Sequence, residues 1–144
     1  MLLLAPLAAL LTIGADRPPS AAELEVTVRG LRNQQGAVMI CLTRRTAKHF
    51  LACDRDPDRV TRIVAAGEAG LIHIGGLVPD DYSLLLLHDE NRNGKLDTRL
   101  GMPREGFGFS RNPALRMGPP HYSDVHFALP PGRSLQAIKV KYLL

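Results

Sequence analysis

Polar and apolar residues alternate along most of this chain, and the alternation predicts short strands. From Glu23 the order Glu, Leu, Glu, Val, Thr, Val, Arg puts Leu24, Val26 and Val28 on one face of an extended segment and the polar set on the other. Residues 30–36 hold Asn33, Gln34 and Gln35 between two glycines and read as a turn, after which residues 37–42 resume as a more apolar strand. The two strands are expected to pair as a hairpin. Residues 43–50 break the alternation and predict a short helix capped by Thr43, closed off by Asp56-Pro57. Residues 59–64 and 70–74 give two further short strands. Turn chemistry at residues 75–81 leads into residues 82–88, whose four consecutive leucines suit a central strand covered on both faces. Residues 122–129 alternate through Val125, Phe127 and Leu129, and residues 135–144 through Ile138, Val140 and Tyr142, with Pro130-Pro131-Gly132 as the turn between them.

About seven short strands, one short helix and one long loop amount to an all-β fold, an antiparallel β-sandwich of immunoglobulin-like or transthyretin-like type. The long loop is residues 91–121. A structureless stretch of that length inside a compact domain is usually functional or held by something extra.

Composition narrows the class. A chain of 144 residues fits one core, here residues 23–144, and 45% hydrophobic with 22% charged residues excludes global disorder. Eighteen Lys and Arg against 14 Asp and Glu give +4, without the clustering of a dedicated nucleic-acid binder. Residues 1–22 are apolar at first and end in small and polar residues. They are too short to cross a bilayer and read as a signal segment cleaved after Ala15 or Ala22, which predicts a periplasmic or secreted protein with no membrane span after cleavage. Cys41 and Cys53 lack the spacing of a zinc or redox pair, and in an exported chain a disulfide is the economical reading, worth about 3 kcal/mol. Two buried free thiols are the alternative.

The sharpest chemical signal follows the leucine strand. His88-Asp89-Glu90-Asn91-Arg92-Asn93-Gly94-Lys95-Leu96-Asp97 contains D-x-N-x-N-G-x-x-D, the first nine positions of an EF-hand loop. Alternate side chains would bring the oxygens of Asp89, Asn91 and Asn93 to one point, with Gly94 permitting the bend, Lys95 offering its carbonyl and Asp97 closing the set. Hard oxygen donors without Cys suit Ca²⁺. The twelfth position is Leu100 rather than Glu, so Glu105 or Glu90 would have to complete the shell, and affinity is expected near ~10⁻⁴ M. The alternative is a polar turn without metal.

Beyond that loop, Phe107, Phe109 and Tyr122 are concentrated in one region with Arg99, Arg104, Arg111 and Arg116, which would suit anionic groups. They are read either as a recognition surface for a glycan or a cell-envelope protein, or as aromatics folded inward to close one end of the sandwich. Catalytic signals are sparse: no serine sits in G-x-S-x-G, and the five histidines lack H-E-x-x-H spacing. His121 and His126, five apart on an expected strand, would face opposite sides. A non-enzymatic module is the preferred reading, and a calcium-dependent hydrolase using His88 or His121 is the competing one.

Taken in order, Gly30-Leu31-Arg32-Asn33 with Gly36, the His88 to Asp97 stretch, Glu105-Gly106-Phe107-Gly108-Phe109-Ser110 and Gly118-Pro119-Pro120 resemble the bacterial family named domain of unknown function 2141. The resemblance covers nearly all of the expected domain. It implies a secreted or periplasmic β-sandwich and brings no settled activity with it.

Overall fold

A computed structural model describes residues 21–144, so the expected signal segment lies almost wholly outside the described residues. Its last residue, Ala22, is buried and opens the first strand, β1 (Ala22–Arg29). Next come β2 (Ala37–Arg44), β3 (Val60–Ala65), β4 (Leu71–Leu77) and the long β5 (Asp80–Asp89). Two short strands, β6 (Thr98–Arg99) and β7 (Met102–Pro103), precede β8 (Gly106–Phe109). A four-residue helix, α1 (Tyr122–Val125), leads to β9 (Phe127–Leu129) and β10 (Gly132–Lys139). The fold is therefore all-β and sandwich-like, with ten strands among the described residues where about seven were expected.

One sheet has the order β10-β1-β4 and the other β3-β2-β5-β8, with β9 pairing the start of β5. Every pair is antiparallel except β1 with β10, which run parallel from Ala22↔Gly132 to Arg29↔Lys139. The expected hairpin of β1 and β2 does not form: the chain crosses from one sheet to the other through residues 30–36. Alternation fixes which face of a strand is apolar, and both strands do point that face inward, but it carries no information about which sheet each joins. Leu24, Val26, Ile72, Ile74 and Ile138 from the small sheet meet Val38, Ile40, Leu42, Leu84 and Leu86 from the large one in a single core. Each such side chain contributes about 1.5–3 kcal/mol gross by leaving water.

The leucine strip is covered on both faces, as expected. Leu84 and Leu86 enter the main core, while Leu85 and Leu87 pack outward against Phe50, Phe107, Phe109 and Val125. The expected helix over residues 43–50 is absent, because β2 continues through Thr43, whose hydroxyl is buried and lies 2.6 Å from Ser83 Oγ on the paired strand. The chain then bends and returns through a 3₁₀ turn at Cys53–Arg55. A disulfide joins Cys41 to Cys53 with Cα atoms 6.2 Å apart, tying down the segment that carries Phe50. The α-helical turn falls instead inside the expected strand at residues 122–129: Asp124 Oδ2 accepts the His121 N–H at 3.1 Å, and Asp124 N–H returns to His121 O at 3.0 Å. That local exchange of bonds outweighs strand alternation.

The long stretch at residues 91–121 is not structureless. Residues 106–109 enter the large sheet beside β5, with Leu87↔Phe107 and Leu85↔Phe109 in register. Their Gly-Phe-Gly-Phe order has period two: the rings face outward, and the glycines let β8 approach β10. A Cβ on Gly106 would fall 2.6 Å from Val140 and the Tyr142 ring, and one on Gly108 2.6 Å from Ile138.

Candidate functional site

β5 delivers Asp89 to the mouth of the loop at residues 89–97, and its last residues seat directly on Gly36. A Cβ there would fall 2.0 Å from Asp89 O and 2.7 Å from Glu90 Cα, and Gly36 has φ +69°. Only glycine fits.

Inside the loop, polar side chains bond to the backbone in place of a regular ladder. Asp89 Oδ1 accepts the Asn93 N–H at 3.1 Å and Oδ2 the Gly94 N–H at 2.8 Å. Asn91 Oδ1 accepts Asn93 N–H and Asn93 Oδ1 accepts Lys95 N–H, each at 3.1 Å. Arg92 (φ 58°) and Gly94 (φ 78°) take left-handed conformations that coil the segment. Asn91 Nδ2 and Asn93 Nδ2 then converge on Asp97, donating to its two carboxylate oxygens at 2.6 and 2.8 Å. The bonds from Asn93 and Asn91 hold the Asp97 carboxyl below the usual carboxylate range, so it is ionised.

Glu105 is buried and clamps the two ends of the loop together. Its Oε1 accepts the Glu90 N–H and its Oε2 the Asp97 N–H, both at 3.0 Å. Glu90 points away from the loop, accepting from Arg32 Nε at 3.0 Å, Arg32 Nη2 at 2.5 Å and Asn33 Nδ2 at 2.7 Å. Burial raises the Glu90 carboxyl, but the Arg32 and Asn33 bonds outweigh it and leave the group below its ordinary value. Arg32 also donates to the carbonyls of Leu144 and Arg104, at 2.7 and 3.1 Å, and lies 4.5 Å above the Tyr142 ring.

His88 is fully buried behind this network. Its Nε2 is 2.8 Å from Gln35 O and its Nδ1 2.7 Å from Tyr142 Oη. A carbonyl only accepts, so Nε2 carries the hydrogen and Nδ1 receives the tyrosine hydroxyl. Neither ring nitrogen is left for a substrate.

The five expected ligand residues thus come together, with Asp89, Asn91, Asn93 and Asp97 linked by direct bonds and Lys95 following Asn93. Leu100, at the twelfth position, is exposed and supplies nothing. The side chains offer carboxylate and amide oxygens and no thiolate or imidazole, the kind of donor hard cations such as Ca²⁺ take, although Asn91 and Asn93 here turn Nδ2 to Asp97 and give Oδ1 to backbone N–H groups. Only two of them are carboxylates, and among the described residues no group of three or more His, Cys, Asp and Glu is placed to hold a metal.

The second expected set is not assembled. Phe107 and Phe109 are buried with rings 6.1 Å apart, which leaves neither ring face open, and Tyr122 is half-buried against Phe50 at 5.7 Å. Arg104 and Arg111 stay exposed. Arg111 Nη1 donates to the carbonyls of Ser123 and His126, at 2.9 and 3.3 Å. His121 and His126 flank a helical turn rather than sharing a strand, and His126 stacks on Tyr122 at 5.2 Å.

Arg32, Asn33, Gly36 and Tyr142 escape a reading based on chemical motifs, because none is itself a ligand or a catalytic type. The glycines at 30 and 36 were the local signal for the first three, and Tyr142 carried only its place in the alternation of residues 135–144.

The model of a bacterial family, described as an uncharacterized protein conserved in bacteria (DUF2141), matches residues 26–136. No curated protein and no solved structure matches the chain.

Proposed function

The chain belongs to the DUF2141 family, and from that premise we propose that it is an exported, non-enzymatic β-sandwich module whose loop at residues 89–97 takes one Ca²⁺ ion. The observation that carries this reading is the gathering of the Asp89 and Asp97 carboxylates with the Asn91 and Asn93 side chains in one tight coil; the two amides turn Nδ2 to Asp97, at 2.6 and 2.8 Å, and an ion would take their Oδ1 atoms in its place. Bound there, the ion would supply positive charge that draws both carboxylates and the amide oxygens to one centre and stiffens the loop. Asp89, Asn91, Asn93, Lys95 through its carbonyl, and Asp97 are the ligands. Glu105 keeps the two ends of the loop at the right separation through its bonds to Glu90 N–H and Asp97 N–H. Export is supported by the Cys41–Cys53 disulfide, a bond that persists in oxidising compartments.

A hydrolase built on His88 is the poorer reading, since both of its nitrogens are bonded inside the protein. The decisive experiment is thermal unfolding of the purified chain in Ca²⁺ or in chelator, for wild type and Asp97→Asn. Calcium at ~100 times its dissociation constant should stabilise wild type by about 2.7 kcal/mol, roughly 10 °C, and leave Asp97→Asn unmoved. Equal melting of wild type in both buffers refutes the reading.

A further inference from the structure

Five cations, Arg29, Arg111, Arg116, Lys139 and Lys141, lie along one seam. Residues 111–113 run beside β10 and are pinned to it: Asn112 Nδ2 donates to Ala137 O at 2.6 Å, Lys139 N–H donates to Asn112 Oδ1 at 2.8 Å, and Lys141 Nζ donates to Pro113 O at 2.6 Å. Arg111 and Asn112 both sit at positive φ, 64° and 45°, a conformation that non-glycine residues rarely adopt and that here raises a fixed ridge. A recess opens on each side of it. The larger, about 520 Å³, is lined in part by Arg111, Arg116 and His121 with Asp124; the smaller, about 250 Å³, by Arg29, Asn112 and Lys139 together with the apolar Gly30, Ala137 and Ile138. Arg29 and Lys139 stand in register on neighbouring strands. Among the described residues, none of Arg29, Arg111, Arg116, Lys139 and Lys141 has a carboxylate within 4.0 Å, as is also true of cations elsewhere such as Arg62, so their grouping around two recesses, and not their lack of partners, sets them apart.

We propose that this seam is a binding surface for an extended polyanionic glycan, whose carboxylate or sulfate groups fall into the two recesses on either side of the Arg111–Asn112 ridge. Charge complementarity favours an anion, because Arg111 and Arg116 outnumber Asp124 in the larger recess, and Arg29 and Lys139 share the smaller with no acidic side chain. Two recesses across a ridge favour a chain bearing repeated charges over a single small ion. The buried state of Phe107 and Phe109 leaves no row of exposed rings for stacking bases, which sets the surface apart from single-strand nucleic-acid grooves. The surface does not depend on the calcium loop.

The test is fluorescence anisotropy with labelled heparin and labelled polygalacturonate, the first carrying sulfate and carboxylate and the second carboxylate alone. Saturable binding to at least one, weakened by added salt, is expected. The double variant Arg116→Glu/Lys139→Glu should lose at least tenfold in affinity, while Arg62→Glu on the exposed strand β3 should change it less than twofold; both should melt as wild type does. Loss confined to heparin assigns the site to sulfated chains, and binding to both assigns it to carboxylates as well. No binding to either glycan overturns the proposal, as does equal loss in Arg62→Glu, wild-type affinity in the double variant, or binding to duplex DNA or anionic phosphatidylglycerol vesicles as tight as to the glycans.

Discussion

Two charged regions of this molecule treat their charges in opposite ways. Around residues 88–105, Asp89, Asp97 and Glu105 each accept two bonds from backbone or amide N–H groups, and Glu90 is bonded to both Arg32 and Asn33. Along the seam at residues 111–121, the cations bond to carbonyls or to nothing, and the ridge between them is held by Asn112 instead. Polar groups in the first region replace a core for a segment with few apolar residues, so removing one costs folding energy. Charges in the second hold little of the fold together, so removing one should cost binding and leave stability alone.

The comparison breaks first, and hardest, at Gly36. Alanine there adds a Cβ against the Asp89 and Glu90 backbone at a left-handed φ, so Gly36→Ala should cost more than about 3 kcal/mol. A urea midpoint lowered with unchanged slope is the readout, and a cost under about 1 kcal/mol would contradict the close seating. Next comes His88→Ala, which empties a fully buried site and removes the partner of Gln35 O and of the Tyr142 hydroxyl, and should cost about 3 kcal/mol in the same assay.

Glu90→Gln sharpens the comparison with pH. Folding lowers the Glu90 carboxyl below its ordinary 4.5, so its stabilising contribution is present above that value and is lost as pH falls through the lower folded value. Wild type should exceed the variant by about 1 kcal/mol at pH 7, a modest figure because Arg32 is partly in solvent, and the gap should close as pH drops below 4.5. A gap that persists unchanged in acid would mean the charge plays no part. The smallest effect belongs to the seam: Arg116→Ala and Lys139→Ala should each shift stability by less than about 0.5 kcal/mol.

Much of this organisation was legible in the sequence because it is local. Period-two alternation marked Leu24, Val26, Val28, Ile138 and Val140 as inward-facing, the leucine run marked a doubly covered strand, and the spacing from Asp89 to Asp97 marked residues that do meet. What stayed hidden depends on partners distant in the chain. Thr43 looked like a helix cap until Ser83 lay opposite it. Gly106 and Gly108 looked like loop glycines, yet they are strand positions required by the approach of Val140, Tyr142 and Ile138. Arg32 and Tyr142, about 110 residues apart, meet through the parallel pairing of β1 with β10, which no local pattern announces. The alternation of glycine with phenylalanine in residues 106–109 was the one available signal for a fourth strand in the large sheet, with the glycines toward the main core and the rings on the outer face under Phe50 and Val125.

The most direct measurement is calorimetric titration of Ca²⁺ into the chelator-treated chain. One site per chain is predicted, with a dissociation constant of about 10⁻⁴ M, abolished in Asp97→Asn and unaffected by Arg116→Ala. No binding heat at calcium well above the ~10⁻³ M limit of extracellular sites would contradict it, as would an isotherm that Asp97→Asn leaves unchanged.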